Sequence, residues 1–239
     1  MAETPDVKRV LLKVSGEALM GEGDFGLDMG VLDRIAGEIV SAARAGTQIA
    51  IVVGGGNMFR GVSVAAKGMD RAVADHLGML GTAMNAVALA GAINKAGGRA
   101  RALSAIPMEQ ICETYTRRRA LDRLQAGDVV VCAGGTGNPF FTTDTAAALR
   151  AAELDCGVLL KGTQVDGVYD ADPKTNPGAK RFERLSFDEA LSRDLKVMDT
   201  SAFALARDAA IPIIVFDIHE SGSLGAVLAG TGRSTLVSA

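Results

Sequence analysis

Three short apolar runs, each ending in a cluster of glycine and small polar residues, limit this chain to few architectures. Val10-Leu11-Leu12 runs into Lys13-Val14-Ser15-Gly16, Ile49-Ala50-Ile51-Val52-Val53 into Gly54-Gly55-Gly56-Asn57, and Val129-Val130-Val131-Cys132-Ala133 into Gly134-Gly135-Thr136-Gly137. Apolar runs without polar alternation are what strands covered on both faces look like, and such strands belong to parallel sheets flanked by helices. Open sheets of that kind bind ligands beyond the carboxyl ends of their strands, where all three turns fall.

The segments between the runs agree. Asp28 to Ala45 carries apolar residues at Val31, Leu32, Ile35, Ile39 and Val40, a helical stripe opened by Asp28 as N-cap and closed by Gly46. A longer helix is expected from about 70 to 96, then a strand over 100–106, a helix over 117–126, a strand over 129–133, a helix over 142–154 and a strand at Val158-Leu159-Leu160. After the polar loop Asp172 to Gly178, helices near 187–193 and 199–209 and a strand from Ile211 to Phe216 follow. No repeat or flexible linker divides the chain. The expected fold class is α/β, a three-layer αβα sandwich around a mostly parallel sheet.

The run from Gly134 to Asp144 bears most directly on function. It leads from a buried strand to an alanine-rich helix that Thr142, Thr143 or Asp144 can cap. Glycine turns let main-chain N–H groups approach an anion, and the helix N-terminus adds partial positive charge, an arrangement suited to phosphate. The same segment would also serve as a plain strand-to-helix connection. Neither G-x-x-x-x-G-K-[ST] nor G-x-G-x-x-G is present, which disfavours Walker-type and dinucleotide-binding readings.

Composition excludes other classes. A net charge of -3 with mixed signs offers no electrostatic footprint for nucleic acid. The hydrophobic content of 48% is high, but much of it is helical alanine, and charged residues are expected to break every apolar run before membrane-spanning length. The polar, acidic start Met1 to Asp6 does not read as a signal peptide. Cys112, Cys132 and Cys156 are odd in number and too widely spaced for a metal knuckle, so they read as reduced cytosolic cysteines.

Taken together, Lys13 to Leu19, Gly54 to Gly61, Asp75 to Met79, Ser104 to Pro107, Gly134 to Asp144, Lys161, Val165 to Pro173 and Lys196 to Asp199 resemble the amino-acid-kinase superfamily. Within it they are most similar to the bacterial-type uridylate kinases, which phosphorylate UMP to UDP in pyrimidine nucleotide biosynthesis. The resemblance implies an acceptor-binding lobe over about 1–157 and an ATP-binding lobe over about 158–239. It assigns Lys13 and Lys161, acting from opposite sides of the site, to the ATP phosphates and the migrating phosphoryl group. Asp144 would organise the lysines, and Asp199 would serve the nucleotide or metal side; both also read as helix N-caps. Lys13, Val14, Ser15, Gly16, Gly56, Arg60, Thr163, Tyr169 and Asp172 are implied to bind ATP, with the Tyr169 ring under the adenine. Arg60, whose guanidinium suits phosphate oxygens, is implied to grip UMP with Gly55, Asp75, Thr136, Gly137, Asn138, Pro139, Phe140, Phe141, Thr142 and Thr143. Asp75 would meet the ribose hydroxyls. His76 reads as structural.

Magnesium is expected as MgATP, held mostly by phosphate oxygens because no strong carboxylate cluster stands out. The family further implies a cytoplasmic homohexamer, with UTP inhibiting at the acceptor site and GTP as a possible effector. Ala90 to Lys95 lacks the arginine and histidine expected at a GTP surface, although Arg99 and Arg101 remain. Two alternatives stay open: a superfamily kinase acting on a carboxylate, such as acetylglutamate or aspartate, and a nonenzymatic nucleotide-binding protein.

Overall fold

The computed structural model describes residues 7–59, 68–173, 175–195 and 197–239. In chain order its strands are β1 (Arg9–Val14), β2 (Gln48–Val53), β3 (Ala100–Ser104), β4 (Glu113–Thr114), β5 (Val129–Ala133), β6 (Val158–Thr163), β7 (Arg184–Ser186), β8 (Ile213–Asp217) and β9 (Thr235–Ser238). Its helices are α1 (Met29–Arg44), α2 (Arg71–Lys95), α3 (Arg117–Gln125), α4 (Thr143–Glu153), α5 (Phe187–Ser192), α6 (Thr200–Asp208) and α7 (Ser223–Leu228), with a 3-10 turn over Gly16–Leu19. The strands form one sheet in the order β4-β3-β5-β2-β1-β6-β8-β9-β7. Every pairing is parallel except β8 with β9.

Period-two alternation along the central strands divides the core into two layers. Val10, Leu12 and Val14 of β1 and Ile49, Ile51 and Val53 of β2 face one side, where Leu32, Ile35 and Ile39 of α1, Leu89 and Ile93 of α2, and Leu224 of α7 cover them. Leu11, Ala50, Val52, Val130 and Leu159 face the other side, under Leu124 of α3, Ala147 and Ala151 of α4, and Phe203 of α6. The expected three layers are therefore present. The alanine-rich α4 lies against β1, β2 and β6, and the small side chains of Ala146, Ala147 and Ala148 let its axis approach the sheet.

Most expected elements match to within two residues. Asp28 caps α1 through Val31 N–H, and Asp70 caps α2 through Val73 N–H. The cap of α4 is Thr142, which accepts from Asp144 and Thr145 N–H, so Asp144 sits in the first turn and its carboxylate is free for other work. Lys13 and Lys161 lie within β1 and β6 rather than beyond them. The expectation that charges break every apolar run fails in α2, where no Asp, Glu, Lys or Arg occurs between Asp75 and Lys95. That helix is long and apolar enough to cross a membrane by length and composition, with a mean hydropathy of 1.4, yet 56% of the window is buried in the protein core.

Candidate active site

Lys13 and Lys161 are register partners on the adjacent parallel strands β1 and β6, so both side chains leave the same face of the sheet near its carboxyl edge. Asp144 descends onto them from the first turn of α4. Its Oδ1 is 2.8 Å from Lys13 Nζ and its Oδ2 is 2.9 Å from Lys161 Nζ. Lys161 also donates to the Val197 carbonyl. Lys13 is 9% exposed and the other two side chains 15%, so the pairs are largely shielded from water. Burial pushes the Asp144 carboxyl up, but the two ammonium groups outweigh it and hold its pKa below the usual carboxylate value. Burial lowers the Lys161 pKa and the Lys13 charge adds to the effect; Asp144 only partly offsets them. The sequence-level picture had the lysines on opposite sides of the site, whereas the structure sets them side by side, bridged by one carboxylate.

Two cavities are tied to the N-terminus of α4, one through Thr142 and Thr143 in its wall and the other through the lysines that Asp144 holds. The first, about 380 Å³, is walled by Lys13, Ser15, Glu17, Lys161, Gly162, Thr163, Gln164 and Asp172. The second, about 390 Å³, is walled by Gly55, Gly56, Asp75, Thr136, Phe141, Thr142 and Thr143, together with Arg71, Met79 and Thr82 of α2. Thr142 and Thr143 thus face one cavity while the next residue, Asp144, holds the lysines of the other. That short run of chain links residues of both cavities and carries a helix N-terminus.

The remaining candidates divide cleanly. Gly56, grouped in the sequence with the ATP side, lies in the wall of the second cavity. Gly137, Asn138, Pro139 and Phe140 are not in that wall, and Tyr169 is not in the wall of the first. The Tyr169 hydroxyl donates to Asp166, 2.6 Å away, and Asp166 in turn pairs with Arg233 at 2.8 Å. Val14 is wholly buried. Gly16 serves close packing: a Cβ there would lie 2.8 Å from Gly56 N and 3.0 Å from Gly54 O, so the turns after β1 and β2 can touch only without a side chain. Arg60 lies outside the described residues. His76 is exposed on α2.

Asp75 is already engaged. Its carboxylate accepts from Arg71 Nε at 2.9 Å and from the Phe140 N–H at 2.8 Å, tying α2 to the glycine loop. Phe140 holds a left-handed φ of 72°, an uncommon state for a non-glycine residue, and 66% of it is exposed. Asp199 is both N-cap and hub. It accepts from Ala202 N–H at 2.8 Å to cap α6, from Thr145 Oγ1 at 3.2 Å, and from Thr142 Oγ1. Thr82, Thr145, Arg71 and Arg150 all support the site, and sequence reasoning passed over them.

Among the described residues, no group of three or more His, Cys, Asp or Glu side chains gathers as a metal site. Each Asp144 oxygen faces an ammonium group, and the Asp199 oxygens face two hydroxyls and an amide.

Two lysines held by a largely buried aspartate concentrate positive charge at the carboxyl edge of the sheet. The model of the Amino acid kinase family matches residues 8–217. The chain belongs to that family. A uridylate kinase of Bartonella henselae is 59% identical over 231 residues, which is 97% of each chain. A uridylate kinase of Brucella abortus is 57% identical over 238 residues, covering 100% of this chain and 99% of the relative. Among solved structures, a UMP kinase from Bacillus anthracis superposes with a TM-score of 0.93 at 37% identity, covering 97% of this chain and 96% of that one. A UMP kinase from Ureaplasma parvum gives the same TM-score at 36% identity. This member of the family is accordingly an enzyme, a transferase of the kinase class.

Proposed function

We propose that this kinase transfers the γ-phosphoryl group of MgATP to UMP, giving ADP and UDP, by in-line attack of an ionised UMP phosphate oxygen. The observation that carries the reading is the Lys13–Asp144–Lys161 bridge, whose lysines line one cavity and whose aspartate follows Thr142 and Thr143 in the wall of the other. Phosphoryl transfer asks little covalent chemistry of a protein; it requires positioning and positive charge where the equatorial oxygens become electron-rich. Two ammonium groups on rigid neighbouring strands supply that charge, and Asp144 fixes their spacing. No strong base is required, because the acceptor phosphate is already ionised.

In this reading the Lys13, Ser15, Thr163 and Asp172 cavity takes the ATP phosphates and ribose, and the Gly55, Asp75 and Thr136 cavity takes UMP. Arg60 is assigned to the UMP phosphate. Asp75 meets the ribose hydroxyls by exchanging one of its present partners, Arg71 or the Phe140 N–H. Tyr169 is kept as a platform for the adenine, its hydroxyl anchored on Asp166. The sheet order supports the two-lobe division, since β1 to β5 lie on one side of the β1–β6 pairing and β6 to β9 on the other. Magnesium would enter with ATP as part of the substrate, because the Asp144 and Asp199 oxygens are already engaged, and would supply positive charge to the phosphate oxygens.

The same reading places the enzyme in the cytoplasm as a homohexamer in pyrimidine nucleotide biosynthesis. The exposed stripe Val73, Leu80, Met84 and Val87 along α2 supports self-association. UTP, which shares uracil, ribose and α-phosphate with UMP, inhibits at the acceptor cavity. Activation by GTP is modest or altered, since Ala90 to Lys95 lacks the arginine and histidine expected at an effector surface. Turnover of a panel of UMP, CMP, AMP and N-acetylglutamate with MgATP tests the assignment. UMP should be used far more efficiently than the rest; equal efficiency with CMP would remove the uracil specificity, and turnover of N-acetylglutamate alone would move the enzyme to the carboxylate branch.

A further inference from the structure

Arg150 is a cation in the core that the chemistry above does not use. It sits in the third turn of α4, only 5% exposed, and its guanidinium lies 3.9 Å from the centre of the Tyr115 ring. Nη1 donates to Glu153 at 2.6 Å, and the Tyr115 hydroxyl donates to the same carboxylate at 2.6 Å. Burying a guanidinium costs free energy unless it is paired and hydrogen-bonded. Here Glu153 balances its charge and the aromatic face holds its plane, which leaves Nη2 aimed at one target, the Gly135 carbonyl, 3.3 Å away.

That target belongs to the loop that walls the acceptor-side cavity. The preceding peptide is pinned from the opposite element: Gly134 N–H donates to Thr82 Oγ1 at 2.8 Å, and Thr82, on α2, is itself 3% exposed. Gly134 and Gly135 both hold left-handed backbone, with φ of 74° and 58°. A loop of two glycines has little intrinsic preference for one conformation, so its shape must be imposed from outside. Arg150 and Thr82 impose it. In a planar trans peptide the carbonyl and the following N–H point opposite ways. Holding the Gly135 carbonyl against Arg150 therefore turns the Thr136 N–H away from the core, on the strip of loop where Gly135 and Thr136 line the cavity.

We propose that Arg150, braced by Glu153 and Tyr115, is a positioning residue that sets the Gly134–Thr136 peptides for recognition of the acceptor nucleotide. It touches neither substrate and acts through the Gly135 carbonyl. Part of this inference rests on the UMP reading above, so its test combines a substrate-free readout with a kinetic one. The first measures hydrogen–deuterium exchange of the 134–143 segment in the wild type, Arg150→Lys and Arg150→Gln. Lysine keeps the charge beside Glu153 but lacks the fork needed to serve Glu153 and Gly135 together. Exchange in 134–143 should rise about tenfold in Arg150→Lys while β5 and the rest of α4 stay protected. The KM for UMP should rise by about tenfold with the KM for ATP changed less than about twofold, and Arg150→Gln should go further in the same direction. Wild-type exchange in the loop of both variants overturns the proposal. So does loss of protection throughout β5 and α4 in Arg150→Lys, or a parallel rise in both KM values, because either would make Arg150 a general stabiliser. Should the wild type fail to use UMP, the UMP reading falls, and the exchange measurement alone decides the role of Arg150.

Discussion

Replacing Asp144 with asparagine removes one negative charge from between two ammonium groups and changes almost nothing else in shape. Each contact, at 2.8 and 2.9 Å, corresponds to about 6 kcal/mol of Coulomb energy at an effective dielectric constant of about 20, before the cost of desolvating the partners. Most of that gross attraction is cancelled, and removing one partner of a buried pair typically costs about 3–5 kcal/mol net. The cavity beside the lysines admits water, and the asparagine carbonyl still accepts from one ammonium, which sets the expected loss at about 3 kcal/mol. For a domain of this size that lowers Tm by roughly 6–12 °C. Turnover should fall by about 10²-fold or more, because the lysines lose their fixed spacing. The pH dependence distinguishes charge from shape. Burial and Lys13 already hold the Lys161 pKa below 10.5 against the pull of Asp144, so losing Asp144 moves it further down and shifts the alkaline limb of kcat to lower pH. The stability profile changes at the other end. Asp144 titrates below 3.8 in the folded chain, so its contribution is present above that pH and lost as pH falls through the folded pKa. Tm of Asp144→Asn should therefore vary less steeply with acidification. Near-normal turnover, or an alkaline limb that does not move, would refute the reasoning even if Tm fell as expected.

Other expectations follow from single contacts. A Cβ at Gly55 would lie 2.5 Å from Gly78 O and 2.9 Å from Thr82 N, both backbone atoms of α2. Gly55→Ala should accordingly destabilise by about 1–3 kcal/mol and weaken UMP binding, which thermal melts and UMP titration would register; a Tm within a degree of wild type would contradict it. Cys112, Cys132 and Cys156 are buried, and burial pushes the Cys132 and Cys156 thiols up to about 12. Native protein should resist thiol reagents at pH 8 until unfolded, whereas rapid stoichiometric labelling would contradict that placement. Inhibition by UTP should weaken as UMP is raised, and GTP should change initial rates little; UTP inhibition indifferent to UMP would put its site elsewhere.

The β1, β2, β5 and β6 strands could be read because their central residues are buried on both faces, leaving apolar runs that are interrupted only at lysine or at the glycines that follow. From those strand ends Lys13, Lys161 and Asp144 followed, once the family resemblance gave them roles. Caps were legible for the same local reason, and Asp28, Thr142 and Asp199 each serve an N–H within three residues. What escaped notice was either short or distant. β4, β7 and β9 span two to four residues and take their identity from a neighbour's hydrogen bonds, which no window of sequence contains. Tyr115 and Glu153 meet across 38 positions, and Thr82 reaches Gly134 across 52. A mid-helix arginine such as Arg150 looks like a solvated charge until Tyr115 and the Gly135 carbonyl are brought against it. The glycines were ambiguous in another way: Gly16, Gly54 and Gly55 are needed because backbones touch there, and that demand produces the same sequence as an anion cradle.

The central claim is that phosphoryl transfer to UMP occurs between the two cavities under the charge of the paired lysines. The most direct measurement is the product balance of wild type and Lys161→Met incubated with UMP and MgATP, read by phosphorus NMR, with UMP binding measured separately on each protein. The wild type should form UDP and ADP in equal amounts. Lys161→Met should bind UMP normally and form UDP about 10²-fold more slowly or less. ATP consumed without matching UDP, or UDP formed by Lys161→Met at the wild-type rate, would contradict the account.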